Sequence, residues 1–321
     1  MNKDYDILCI GLIVADLLVK PVDKGIFDVD TTKIDKIIVM PGGDAMNESM
    51  VLARLGKKVG LVGKVGDDAF GHMVLQNAKE NKVDTSNVKI DSSTITSTSI
   101  VLINKNGIRN IVYCNGNNQS FSLGDIDLSV IKRAKMVNIG SLLGLPGLDK
   151  SGAEIIFKEA KANHVITSAD TNHDICGIGL AGIKGILKYT DIFMPSYYEA
   201  KALTNETDPE KMADVFLNCG VKTIVIKLGI NGCLIKDTKE SFLLPTCDAN
   251  TIDTTGAGDN FVAGFLTGIL NGWSLRKSGM FANAAGALST QEVGACVAVK
   301  SADQVEDFMN GSESLKSSGN I

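Results

Sequence analysis

Short apolar runs alternate with helix-period segments along most of this chain, and that rhythm narrows the fold more than any single motif. Runs at residues 6–14, 59–62, 136–139, 165–169, 192–194 and 223–227 read as strands. Segments at 45–55, 69–80, 150–163, 177–189, 213–219, 257–270 and 275–291 read as helices. Parallel neighbours need long crossovers, usually helical, so the alternation predicts an α/β fold whose mostly parallel sheet is covered on both faces. In open sheets of this kind, ligands gather at the carboxyl ends of the strands. With 321 residues, 44% of them apolar, one large domain and two smaller ones both fit the length.

Two segments break the rhythm. Residues 17–40 are polar with extended pieces, and residues 97–116 read as two strands around Asn106-Gly107, a strong hairpin signal. Together they predict a small β-sheet set apart from the main body. It would cover an active site as a lid, form a dimer contact, or do both.

Composition closes off several classes. The net charge of -5, with no basic cluster, argues against a nucleic-acid partner. The seven cysteines include no Cys-x-x-Cys pair and read as reduced, buried small hydrophobes without a zinc site. The apolar run 7–19 is too short for a membrane span and contains Asp16. Acidic residues ahead of it are wrong for a secretory signal. These features predict a soluble, cytoplasmic protein whose tail, 310–321, frays.

The chemistry concentrates in Asp253-Thr254-Thr255-Gly256-Ala257-Gly258-Asp259, directly before the apolar run 261–270. Gly256 and Gly258 let a ligand approach the backbone closely, and first-turn N–H groups have no acceptor inside the helix. Those donors and the helix dipole form an anion site, with the Asp259 carboxylate in the same turn. An anion site with a base beside it suits phosphoryl transfer to a hydroxyl. A helix cap and a tight loop is the plainer reading of this segment taken alone.

Further pieces fall at the same rim. Gly42-Gly43-Asp44-Ala45-Met46-Asn47 precedes a helix, and Asp16 follows the first strand. Glu199 follows the strand at 192–194, and Lys227-Leu228-Gly229-Ile230-Asn231-Gly232 makes a glycine turn after another strand. Each alone reads as a helix cap, a solvated loop acid, a helix-start acid or a hairpin turn, but their shared placement points to one site. Other motifs fail in context. Gly177-x-Gly179-x-x-Gly182 follows a loop rather than a tight strand–helix turn, and His72, His164 and His173 lack metal spacing.

With these pieces in place, the chain resembles the ribokinase-like (PfkB) family of sugar and nucleoside kinases, from about Tyr5 to about Val299. The resemblance rests on residues 253–259 and on Gly42-Gly43-x-x-x-Asn47, followed by Ala53-Arg54-Leu55-Gly56 and Gly63-x-Val65-Gly66-Asp67-Asp68. It implies a three-layer α/β/α sandwich in one domain, 1–321, with a small β-sheet lid. It implies an ATP- and Mg2+-dependent kinase acting on a primary hydroxyl of a carbohydrate. Asp259 would be the catalytic base, with Gly256, Ala257 and Gly258 as the anion hole. Asp16, Gly42, Gly43 and Asn47 would bind the substrate's hydroxyls. Ser196, Glu199, Lys227, Gly229, Gly232 and Asn283 would serve the nucleotide, with Glu199 also holding magnesium through water. Asp253 and Thr255 match positions that help bind a monovalent cation in several relatives, with carbonyls near Ser289 and Gly294, and potassium is the candidate ion. A homodimer through the lid is a further implication.

Departures from the family pattern bear on the substrate. The usual Asn-x-x-Glu is Ser196-x-x-Glu199 here, and the shorter hydroxyl leaves a gap that a water would fill. Gly140 stands where ribokinases carry a glutamate, which argues against ribose. Asp170-Thr171-Asn172-His173-Asp174 resembles the Asp-Pro-Asn-x-Arg of fructokinase-like members, with Asp174 in place of the arginine. Asp44 and Glu48 add negative charge. The expected acceptor is therefore a neutral or amino-bearing sugar. A nucleoside is the alternative, and a non-catalytic sugar sensor is the third reading. Arg109, after the lid hairpin, reads as a solvated lid residue, with contact to the substrate as the alternative.

Overall fold

Alternate side chains of one strand decide the layering. In β1 (Tyr5–Ile10), Leu8 and Ile10 face one apolar cluster while Ile7 and Cys9 face another, as the two-residue period of a strand requires. The structure, a computed structural model, describes residues 3–105 and 109–318. The Asn106-Gly107 turn expected in the lid lies outside the described residues.

The remaining strands are β2 (Val14–Lys20), β3 (Lys36–Gly42), β4 (Val59–Gly66), β5 (Val83–Asp91), β6 (Thr98–Ile103), β7 (Arg109–Cys114), β8 (Ala134–Leu142), β9 (Ile166–Thr171), β10 (Ile192–Phe193), β11 (Thr223–Lys227), β12 (Cys233–Lys236) and β13 (Ser241–Leu244). The helices are α1 (Asp44–Arg54), α2 (Ala69–Glu80), α3 (Pro146–Asp149), α4 (Gly152–Ala162), α5 (Gly179–Leu187), α6 (Tyr197–Thr204), α7 (Pro209–Asn218), α8 (Ala257–Leu270), α9 (Leu275–Ser289) and α10 (Ala302–Ser318).

The main sheet runs β13-β12-β11-β10-β9-β8-β1-β4-β5. Its strands are parallel from β5 to β11, and the β12–β13 hairpin adds an antiparallel edge. Phe157 of α4, Ile183 of α5 and Phe216 of α7 pack on one face. Met46 of α1, Val74 of α2, Phe265 of α8 and Phe281 of α9 pack on the other. The result is the three-layer sandwich. The second sheet, β3-β2-β6-β7, is the lid.

The run expected as one strand over 6–14 is two strands in two sheets. The break falls at Gly11, where φ is 154° and a β-carbon would lie 2.9 Å from Ser141 Oγ and 3.1 Å from Ala45 Cβ. The apolar sequence continues through this point, but the chain bends out of the main sheet and enters the lid at Val14. Reading the cysteines as buried also needs correction. Cys114, at the end of a lid edge strand, and Cys176, in the loop after β9, are exposed. Among the described residues no helix is long and apolar enough to cross a membrane.

Candidate active site

Helix α8 begins at a backbone conformation suited to glycine. Gly256, its N-cap, has φ 73°, and a β-carbon there would lie 2.3 Å from the Ala295 carbonyl oxygen. The helical ladder starts with the Asn260 N–H donating to the Gly256 carbonyl at 2.9 Å. The N–H groups of Gly258 and Asp259 precede that bond and have no acceptor inside the helix. The Ala257 N–H donates to the Thr254 carbonyl at 3.3 Å, so this expected member of the anion hole is partly engaged.

Two clefts meet at this turn. The larger, about 860 Å³, is lined by Asp44, Asp170, Thr171, Ser196, Glu199, Lys227, Gly229, Gly258 and Asp259 among others. The smaller, about 490 Å³, lies under the lid and is lined by Asp16, Leu18, Met40, Val101, Arg109, Asp253, Thr255 and Gly294 among others. Asn47, on the first turn of α1, lines neither cleft but is bonded to Asp259. Its Nδ2 donates to Asp259 Oδ2 at 2.7 Å, while its own Oδ1 is buried without a protein partner among the described residues. Asp16 Oδ1 accepts from Ser99 Oγ at 2.8 Å. Gly42 makes room for Asp16, since a β-carbon at 42 would lie 2.1 Å from Asp16 Oδ2. At Gly43, φ is 90° and a β-carbon would meet the Leu12 carbonyl oxygen at 2.5 Å.

The charges in the larger cleft are tightly arranged. Lys227 Nζ donates to both oxygens of Asp170 at 2.6 Å. It also lies 3.5 Å from where a Gly258 β-carbon would be, so the missing side chain opens the anion hole to the ammonium. Burial, then the charge of Asp44, push the Asp259 carboxyl well above its usual range, against the opposing pull of Asn47 and Lys227. Burial lifts Asp44 to about 6 and Asp170 to about 7. The Lys227 ammonium is favoured because its carboxylate neighbours outweigh the cost of burial.

Glu48 departs from its reading as added negative charge. It is fully buried, and its Oε2 accepts from Asn138 Nδ2 at 2.6 Å. Burial, then repulsion from Asp170 and Asp259, raise its pKa well above normal and favour the uncharged acid. It also occupies the space facing Gly140, where a β-carbon would lie 2.5 Å from Glu48 Oε2.

Ser196 and Glu199 form a capping box at the start of α6. Ser196 Oγ accepts from the Glu199 N–H at 3.4 Å, and Glu199 Oε2 accepts from the Ser196 N–H at 2.7 Å. Thr171 Oγ1 donates to the same Glu199 oxygen at 2.7 Å. Gly229 has φ 60° with open space around it. Gly232 and Asn283 do not line the cleft. At Gly232 a β-carbon would lie 1.9 Å from the Leu244 carbonyl oxygen. Asn283 Nδ2 donates to the backbone carbonyls of Leu244 and Pro245 at 3.3 and 3.1 Å.

Asp253, Thr255 and Gly294 come together. Asp253 Oδ1 accepts from the Thr255 N–H at 3.0 Å and from its hydroxyl at 2.7 Å, and Oδ2 accepts from the Gly294 N–H at 3.0 Å. Burial pushes Asp253 upward, but these bonds and Arg109 more than offset it and hold the carboxyl below its usual range. Ser289 closes α9, its hydroxyl donating to the Gly286 carbonyl at 2.8 Å. Arg109 is not simply solvated, because its Nη1 lies 3.1 Å from Asp253 Oδ1 and its Nη2 3.4 Å from Thr254 Oγ1. Sequence reasoning did not place Asp170 beside Lys227. The only signal was an aspartate at the carboxyl end of a strand.

Known proteins share this architecture. A model of the family described as pfkB family carbohydrate kinase matches residues 4–302. Fructokinase-2 of Zea mays is 30% identical over 287 residues, covering 84% of this chain and 85% of that protein. The ATP-dependent 6-phosphofructokinase of Thermoanaerobacterium thermosaccharolyticum is 28% identical over 319 residues, covering 96% and 94%. The structure of Arabidopsis thaliana ribokinase complexed with ribose and ATP superposes with a TM-score of 0.81 at 23% identity, covering 96% of this chain and 99% of that one. That likeness establishes a ribokinase-like fold.

Proposed function

The chain belongs to the pfkB family of carbohydrate kinases, which makes it a sugar phosphotransferase, and on that premise we propose that it moves the γ-phosphoryl group of ATP to a primary hydroxyl of a neutral or amino-bearing sugar. The observation that carries this reading is the position of Asp259. It lines the larger cleft beside Gly258 and Lys227, and it is tied by Asn47 to the turn that begins at Gly42.

ATP occupies the larger cleft and the sugar lies in the smaller one, against Asp16 and Asn47. The acceptor hydroxyl passes its proton to Asp259 as its oxygen attacks the γ-phosphorus, and the bond from that phosphorus to the bridging oxygen breaks, with ADP as the leaving group. The raised proton affinity of Asp259 brings this base closer to the working pH. The N–H groups of Gly258 and Asp259, the α8 dipole and Lys227 meet the charge on the transferring group. Among the described residues no three acidic, His or Cys side chains come close enough to hold a metal ion directly. Glu199, which lines the larger cleft, would hold magnesium largely through water, and the ion would neutralise phosphate charge when bound. Lid residues above the acceptor cleft exclude water that would otherwise hydrolyse the nucleotide.

A sugar fits better than a nucleoside. Among the described residues no aromatic side chain lines the acceptor cleft, so a nucleobase finds no stacking platform from them. Phe27 is 94% exposed, Phe121 is fully buried, and Tyr113 does not line the cleft. Of the cations that line the acceptor cleft, Arg109 is already paired with Asp253, while Lys20 and Lys105 also face it, so sugar phosphates belong in the acceptor panel beside neutral sugars.

The lid's outer face supports a homodimer. Val39 pairs with Leu17, Leu17 with Ile100, and Ile100 with Val112, which places them in one cross-strand row. Val39, Ile100 and Val112 are exposed in that row, as is Ile37 in the row of Val19 and Leu102. Sedimentation of Ile100→Glu against the parent chain would show whether this face joins two copies.

The deciding experiment is a coupled ADP-release screen over pentoses, hexoses, ketoses, amino sugars, sugar phosphates and nucleosides. Turnover on a neutral or amino sugar is expected. Turnover confined to nucleosides would transfer the reading to a nucleoside kinase. Sugar binding without ADP release across the panel would leave a sensor.

A further inference from the structure

We propose that Arg109 stands in for a monovalent cation at Asp253, so that a guanidinium carried by the lid, and not potassium, sets the geometry of the 253–259 turn. A potassium ion needs oxygen lone pairs directed at it. The Asp253 carboxylate instead receives donors: the Thr255 N–H and hydroxyl and Arg109 Nη1 on one oxygen, and the Gly294 N–H on the other. These four donors fill about the four acceptor sites of a carboxylate, so the side chain of Asp253 has no lone pair left for potassium. A second cation beside the guanidinium would also be repelled.

Arg109 reaches this place from β7 of the lid. Its Nη1 takes Asp253 and its Nη2 approaches the Thr254 hydroxyl, so the planar fork spans two consecutive residues of the turn. The lid touches the same region a second time. A β-carbon at Gly294 would lie 2.9 Å from Met40 Sδ and Cε, and Gly294 is the residue whose N–H holds Asp253. Asp16, Met40 and Arg109 all line the acceptor cleft. The ion pair therefore links the lid above the acceptor to the loop that leads into Gly256. Arg109 acts through Asp253 and is a positioning residue. Its catalytic consequence rests on the kinase reading, whereas its occupation of the cation's place does not.

The test compares parent, Arg109→Gln and Arg109→Lys in chloride salts of potassium, sodium and choline at one ionic strength. Melting temperature and turnover are both read. The parent should melt at the same temperature in all three salts and turn over at rates within about twofold. Arg109→Gln, which keeps the size but loses the charge, should lose about tenfold in turnover in choline. Potassium should restore much of that loss and raise its melting temperature by ~2 °C or more. Arg109→Lys should remain insensitive to the cation. A potassium-specific rise in the parent's melting temperature would overturn the proposal. So would an Arg109→Gln variant that matches the parent in every salt. The melting arm reads the Asp253 site even if no sugar is phosphorylated, so failure of the kinase reading and failure of this one are distinguishable.

Discussion

Replacing Lys227 by methionine isolates what the ammonium does in the larger cleft. Lys227 and Asp170 meet at 2.6 Å with side chains only 13% and 4% exposed. Asp44, Asp170, Glu199 and Asp259 line the same cleft, so methionine leaves four carboxylates facing one another. Removing one member of a buried pair costs about 3–5 kcal/mol, a large share of a typical fold's stability of about 5–15 kcal/mol. The loss has a ceiling that depends on pH. Asp170 is already lifted to about 7 by burial with Lys227 present, and without the lysine it can take up a proton. An acid whose folded pKa is raised withdraws stability as pH climbs from its ordinary 3.8 through the folded value. In the variant Asp170 rises further, so this decline extends to higher pH. The Lys227 pKa is raised above 10.5, so the contribution it makes to the parent is intact across the neutral range. The two proteins should therefore differ little at pH ~6 and by roughly 4–7 °C in Tm at pH ~8. Thermal melting at the two pH values checks this, and ADP release should show an ATP KM raised by about tenfold or more. Adding Asp170→Asn should recover stability but not turnover. Equal losses at both pH values, or none at either, would refute the buried-charge reasoning.

Other substitutions probe separate parts of the site. Asn47→Ala removes a bond that pulls the Asp259 pKa down, so the acid limb of the kcat profile should move to higher pH while the sugar KM rises. Gly256→Ala forces a β-carbon to within 2.3 Å of the Ala295 carbonyl oxygen at positive φ, and melting should show a loss of about 1–3 kcal/mol or more together with lost activity. Ser196→Ala removes the α6 cap at a cost of about 1 kcal/mol. It should also loosen Glu199, which magnesium titrations of turnover would reveal as a higher half-saturation concentration.

The parts of this molecule that were legible in sequence are those fixed by local pattern. Helices α2 and α8 and strand β11 carry their period and caps within a few residues, and they form where the pattern puts them. The glycines of the 253–259 turn and the Gly42-Gly43 pair are readable because only a missing side chain allows those backbone approaches. The strand break at Gly11 was not legible, because the apolar run passes through it and the neighbours that require glycine there, Ser141 and Ala45, come from distant segments. Strand β5 sits at a sheet edge with many exposed polar residues, and β12 and β13 are four residues each, too short for a period to emerge. The first turn of α6 is written in Ser196-x-x-Glu199 as a capping box, in line with the plainer reading of Glu199 as a helix-start acid. Contacts across long separations were beyond reach. Asn47 and Asp259 are 212 residues apart, Arg109 and Asp253 are 144, and Asp170 and Lys227 are 57. Only the fold brings them together, and they decide the charge state of the site.

The central claim is that Asp259 takes the proton of the acceptor hydroxyl beside the α8 anion hole, and Asp259→Asn tests it most directly. Turnover on the best sugar and ATP affinity by calorimetry are measured on the same preparation. Asparagine keeps the shape and removes one negative charge from a cleft that already holds Asp44, Asp170 and Glu199, so ATP should bind at least as tightly. Turnover should fall by at least about a hundredfold, the usual scale for losing a general base. Near-parental turnover with intact ATP binding would contradict the account.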